Sequence, residues 1–95
     1  MALSAENESS LLRLKEQLDK SVQWPSEYMF KLIFPSDIKN FALVRELFPE
    51  ESQFESRNSS SGKYTIVTVR EFMLSSEEVI TRYRLAAEIP GLIML

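Results

Sequence analysis

The chain has 95 residues, 44% hydrophobic and 26% charged, the balance of a single ordinary globular domain. It has no Cys, no His and only two Gly, which excludes a Cys nucleophile, a Ser-His-Asp triad, an imidazole base, a thiolate or imidazole zinc site and a three-glycine dinucleotide loop. Eleven basic residues against 14 acidic give a net charge of −3, so phosphate backbones and anionic membrane surfaces are repelled on average.

The N-terminal residues show neither a basic run nor an apolar core of a secretory signal, and no apolar stretch approaches the ~20 residues that span a bilayer. A cytoplasmic location without membrane attachment is expected. Residues 9–20 place Leu11, Leu14 and Leu18 on one stripe among charged neighbours, which predicts an amphipathic helix capped by Ser9 or Ser10. Three turns are marginal alone, so that stripe needs a docking surface. Trp24-Pro25-Ser26 breaks the pattern, and residues 1–26 read as an N-terminal helical appendage and linker to a domain at 27–95.

Residues 27–34 alternate, with Tyr28, Phe30, Leu32 and Phe34 on one face and Met29, Lys31 and Ile33 on the other, as in a strand with one buried side. Ser36 is a plausible N-cap for a helix whose apolar positions are Ile38, Phe41, Ala42, Val44, Leu47 and Phe48, and Pro49 stops it. Residues 52–58 read as an edge strand, 59–62 as a loop and 63–72 as the strongest strand. Ser75 and Glu78 form a capping box. The stripe of Val79, Ile80, Tyr83, Ala86 and Ala87 then predicts a helix, and residues 92–95 a short last strand.

The resulting order is a helix followed by β-α-β-β-α-β. It predicts an α+β, ferredoxin-like sandwich, an antiparallel sheet with two helices on one face and an extra N-terminal amphipathic helix. The other sheet face then carries Met29, Lys31, Ile33, Tyr64, Ile66 and part of residues 92–95, too much apolar surface to be left in water. The leucine stripe of the first helix, a second copy of the chain or a partner protein are the candidates to cover it.

From Trp24 onward the chain resembles the YbeD-like family of small bacterial proteins, whose function is unknown. The resemblance rests on Trp24-Pro25, on Phe30-Lys31-Leu32 and on Ser60-Ser61-Gly62-Lys63-Tyr64 followed by Thr65-Ile66-Val67-Thr68-Val69. The start of the last helix at Ser75-Ser76-Glu77-Glu78-Val79, Tyr83 and the closing Met94-Leu95 complete it. It implies a fold similar to ACT regulatory domains.

Sharper chemical readings fail on their own residues. Arg57 through Tyr64 lacks the first glycine and the final Ser or Thr of a phosphate loop and leads into a strand, leaving Arg57, Ser61, Gly62 and Lys63 only as a candidate anion or ligand loop. An RNA-recognition strand would need Gly at Lys63 and aromatic rings at Ile66 and Val69. Glu50-Glu51 and Glu77-Glu78 are neighbours whose side chains diverge, and capping accounts for the second pair. Arg82 and Arg84 flank Tyr83 and read as a solvated face.

The expectation is therefore a small non-catalytic regulatory or adaptor domain, not an enzyme, working by protein contacts through its sheet face. It needs no cofactor or metal, and its partner is an unidentified protein or a second copy as a homodimer. One alternative is an ACT-like domain that senses a small molecule near Lys31, Arg70 and residues 59–63. The other, single-stranded nucleic-acid binding, is disfavoured by the charge.

Overall fold

Alternation along the two longest strands builds the molecule. A computed structural model describes residues 5–94, with side chains from residue 8 onward. The elements run α1 (Ala5–Ser21), β1 (Ser26–Pro35), α2 (Ile38–Glu46), β2 (Gln53–Asn58), β3 (Tyr64–Met73), α3 (Ser76–Ala86) and β4 (Ile93–Met94). The result is a small α+β fold with a four-stranded antiparallel sheet ordered β2-β3-β1-β4.

Phe30, Leu32 and Phe34 of β1 and Val67 and Val69 of β3 are fully buried on the inner sheet face. Two-residue periodicity sends these side chains to the same side, where Val44 of α2, Phe48 just beyond it, and Val79, Ile80, Tyr83 and Ala86 of α3 meet them. Phe30 is the hub: its ring lies 5.3 Å from Phe48 and 5.3 Å from Tyr83, so α2 and α3 share one side of the sheet. A side chain of this kind stabilises by about 3–5 kcal/mol relative to alanine.

The helix ends show which polar groups satisfy the first orphan N–H groups. Asp37, not Ser36, caps α2: its carboxylate accepts from the Lys39 N–H at 2.7 Å, while the Ser36 hydroxyl is taken by Thr65 at 2.9 Å. Ser75 caps α3 by accepting from the Glu78 N–H at 3.2 Å, and the Glu78 carboxylate reaches back to the Leu74 N–H. Ser9 and Ser10 cap nothing, because α1 already begins at Ala5. The stripe expected on α2 is also shorter than its spacing suggests, since Ile38 is 90% exposed. The last strand is Ile93–Met94, and the expected Leu95 lies outside the described residues.

Both glycines have positive φ, 77° at Gly62 in the β2–β3 turn and 73° at Gly91 before β4. Gly91 has a second constraint: a Cβ there would sit 2.8 Å from Cγ of Pro35.

The position of α1 departs from one expectation. Its leucine stripe does not cover the outer sheet face. Leu11 and Leu18 are buried in the same cluster as Phe30 and Tyr83, on the helix side of the sheet. The Asp19 carboxylate accepts from the Ser76 hydroxyl, and Glu8 pairs with Arg84, so polar ties join α1 to α3 near both of its ends. The physical reason is room: β4 is two residues long, and the helix layer above the β1–β4 margin stands open until α1 fills it.

Arg82 also corrects its expected solvated role. Its guanidinium grips Glu71 through two bonds, 2.6 and 3.1 Å, and lies 4.9 Å from the centre of the Phe48 ring. Both side chains keep only 18% and 17% of their surface in water.

Candidate interaction face

The outer sheet face is set by the residues that alternate with the core. On β1 these are Met29, Lys31 and Ile33, and on β3 they are Tyr64, Ile66, Thr68, Arg70 and Phe72. Register brings them into rows. Ile93, Ile33 and Ile66 stand side by side across β4, β1 and β3, with Arg57 of β2 next to Ile66. The next rows are Lys31, Thr68 and Glu55, and then Met29, Arg70 and Gln53.

Met29, Lys31, Ile33, Tyr64 and Ile66, all expected on this face, are therefore on one surface, and no described element lies over them. Met29 and Tyr64 are exposed, whereas Ile33 and Ile66 are half-buried by their row neighbours. Ile93 and Phe72, the latter 64% exposed, extend the apolar surface. Phe72 carries a signal that was there to be read, since it closes the expected strand on the same alternation as Ile66, Thr68 and Arg70. Part of residues 92–95 was expected here too, and the register with Ile33 shows that Ile93 is the residue that joins the face.

Charge on this face differs from that of the whole chain. Lys31, Arg57 and Arg70 oppose Glu27 and Glu55, a net of +1 from three basic less two acidic residues, in a chain of −3. The face is thus an apolar row bordered by cations, while the remainder of the chain holds the acidic surplus.

The loop at residues 59–63 is a tight connection that uses its own donors. The Ser59 N–H bonds to the Tyr64 carbonyl at 2.8 Å and the Gly62 N–H to the Ser59 carbonyl at 2.9 Å. The Lys63 and Tyr64 N–H groups are taken by the Ser61 and Ser59 hydroxyls. The candidate anion residues Ser61, Gly62 and Lys63 therefore meet in a hairpin turn in which the Gly62 and Lys63 N–H groups are already taken, and Arg57 projects from the sheet face beside them. Lys31 and Arg70 are diagonal neighbours on the face, and Arg70 lies six residues along β3 from Tyr64, about 20 Å from the loop. One small ligand does not touch Arg70 and the loop together.

A second feature arises on the helix side. Leu11 and Leu14 of α1, Tyr28 of β1, Tyr83 of α3 and residues 92–94 line a cleft of about 420 Å³. Within its wall the Tyr28 and Tyr83 hydroxyls are 3.0 Å apart. Burial, and then the bond to Tyr28, push the Tyr83 phenol well above its ordinary pKa, so it stays neutral and able to donate. Sequence periodicity gives no hint of this cleft, because its walls come from four separate elements.

Among the described residues no group of three or more His, Cys, Asp or Glu is placed to hold a metal ion, and no helix is long and apolar enough to cross a membrane. No family model, curated protein or solved structure matches the chain.

Proposed function

We propose that the chain is a non-catalytic adaptor or regulatory domain that binds a protein partner on its outer sheet face. The observation that carries this reading is the Ile93–Ile33–Ile66 row, left uncovered because α1 packs beside α3 instead. An apolar row of this kind favours association, since covering it removes apolar surface from water at about 25 cal/mol per Å². The cationic border of Lys31, Arg57 and Arg70 favours a partner segment that carries acidic residues around an apolar anchor.

The same proposal includes a ferredoxin-like plait. It is supported by two central strands, β1 and β3, each followed by a helix on the inner face and then by an edge strand. The resemblance to the YbeD-like family, and through it to ACT domains, belongs with this reading and is carried by the Trp24-Pro25 and 60–69 segments.

The test is capture from the native cell lysate by the tagged chain, run beside Ile66→Asp and Tyr64→Glu. A protein retained by the wild type and lost with both variants, each still folded by circular dichroism, supports the reading. A capture profile unchanged by either substitution overturns it.

A second reading is favoured by the Tyr28–Tyr83 cleft, whose volume and apolar lining suit a small uncharged ligand with one hydrogen-bond acceptor. Stabilisation in a thermal-shift screen that disappears in Tyr83→Phe identifies such a ligand.

A further inference from the structure

We propose that the free edge of β2 is a self-association edge, at which two copies of the chain pair antiparallel about a two-fold axis passing through Ser56. Among the described residues β2 has one neighbour, β3, and its other edge is open. Its register with β3 runs without interruption from Gln53↔Arg70 to Asn58↔Thr65, and the segment contains no Pro and no residue of positive φ. The bulges and prolines that commonly blunt an exposed edge are thus absent from this one.

Hydrogen-bond parity fixes which groups face outward. The Ser59 N–H donates to the Tyr64 carbonyl across the β2–β3 ladder. In an antiparallel pair such bonded positions recur every second residue. Arg57, Glu55 and Gln53 therefore turn their backbone groups toward β3, and Phe54, Ser56 and Asn58 turn theirs to the open edge. Two strands related by a two-fold at Ser56 then pair Ser56 with its own copy and Phe54 with the partner's Asn58, each pair exchanging both N–H···O bonds.

The same axis sets Glu55 opposite the partner's Arg57, and Arg57 opposite the partner's Glu55. These fall at the non-hydrogen-bonded positions, where facing Cα atoms are only about 4.5 Å apart and side chains meet most closely. Among the described residues neither side chain has an ion-pair partner within its own chain. Other axes do worse. An axis at Glu55 faces that carboxylate with itself, an axis at Arg57 does the same for the guanidinium, and an axis at Phe54 makes no ion pair within the strand, setting Arg57 opposite the partner's Glu51 only beyond its start. The spacing of opposite charges about Ser56 makes the edge complementary to itself, which points to a second copy rather than an unrelated strand.

The helix above the edge agrees. Ile38 shares a stripe of α2 with Phe41 and Arg45, both of which lie over Phe54 of β2, at 5.9 Å between ring centres and 4.5 Å from the guanidinium to the ring centre. Ile38 is nevertheless 90% exposed. A paired copy brings a second α2 alongside, with its own exposed Ile38. The product is an isologous dimer with a continuous sheet of twice the width, and its outer face stays open.

Analytical ultracentrifugation of the full chain over a concentration series tests this. The wild type is expected to show a concentration-dependent monomer–dimer equilibrium. Glu55→Arg and Arg57→Glu each set like charges against each other at both symmetry-related pairs and weaken dimerisation by at least about tenfold. Mixing the two variants restores a dimer, because the arginines of one then face the glutamates of the other, and the double exchange in one chain dimerises by itself. A wild type that stays monomeric overturns the proposal. So does a dimer indifferent to the single reversals, which would place the contact on the sheet face or at β4, and so does a mixture that fails to associate. Ile66→Asp leaves the edge dimer intact, which separates this contact from partner docking on the face.

Discussion

The hydroxyls of Tyr28 and Tyr83, 55 residues apart in the chain, lie 3.0 Å from each other. Tyr28 comes from the half-buried start of β1 and Tyr83 from the buried side of α3, so this one bond links the sheet to the helix layer where α1 joins them. Tyr83 is 2% exposed, and its ring also meets Phe30 edge-on at 5.3 Å.

The bond has a pH signature. The Tyr83 pKa is raised in the folded protein, chiefly by burial, so the folded state holds this proton after the unfolded state has begun to lose it. The stabilisation is complete below about pH 10, the ordinary tyrosine value, and is lost as pH rises above it. Tyr83→Phe should cost about 1 kcal/mol at neutral pH through the lost hydrogen bond. It should also flatten the alkaline fall in stability, measured as urea midpoints at neutral pH and above about pH 10. An alkaline limb as steep in the variant as in the wild type contradicts this assignment.

The Arg82–Glu71 pair acts as a clamp between α3 and β3. Its two bonds hold the guanidinium near Phe30 and Phe48, at 5.5 and 4.9 Å from the ring centres. Removing one partner leaves the other charge partly desolvated. Arg82→Ala should cost on the order of 2 kcal/mol, below the ~3–5 kcal/mol of a fully buried pair because each side chain keeps some contact with water. Arg82→Lys should recover only part of the loss, since an ammonium cannot reproduce the two-pronged grip. In a double-mutant cycle, Glu71→Ala added to Arg82→Ala should be far less harmful than the sum of the single changes, and additivity in urea denaturation would argue against a coupled pair.

The two glycines separate backbone conformation from crowding. Both have positive φ, so alanine at either position should cost about 1–2 kcal/mol from the left-handed conformation alone. At Gly62 nothing among the described residues lies within 4 Å of the added Cβ, and the cost ends there. At Gly91 the methyl meets the Pro35 ring at 2.8 Å, which adds about 1–3 kcal/mol of overpacking. Thermal denaturation should therefore rank Gly91→Ala below Gly62→Ala, by about 4–8 °C for each kcal/mol between them. Equal melting temperatures would show that the β4 turn yields to the contact.

Much of the outer face was legible from the residues themselves. Met29, Lys31 and Ile33 must oppose Phe30, Leu32 and Phe34 because strand side chains alternate, and the same rule groups Tyr64 with Ile66. The Ser75 cap was equally readable, since capping depends on a few neighbouring residues. At Ser36 and Asp37 the same local reasoning chose the wrong neighbour. Either side chain can reach the first turn, and the choice follows from Thr65, which engages Ser36 from a distant strand.

The amino-acid sequence alone determined the absences, with no His, no Cys and too few glycines for a nucleotide loop, and it determined which side of each strand is apolar. It did not determine what each apolar side meets. The leucine stripe of α1 has the same periodicity whether it covers the open sheet face or fills the gap beside α3. Only the tertiary structure decides, through Leu11 and Leu18 in the core and through the ties from Asp19 to Ser76 and from Glu8 to Arg84. The arginine at position 82 likewise reads as solvated until Glu71 is found across from it. Periodicity is a property of one element. Pairing is a property of two, and it depends on shape, register and free space that exist only once the chain has folded.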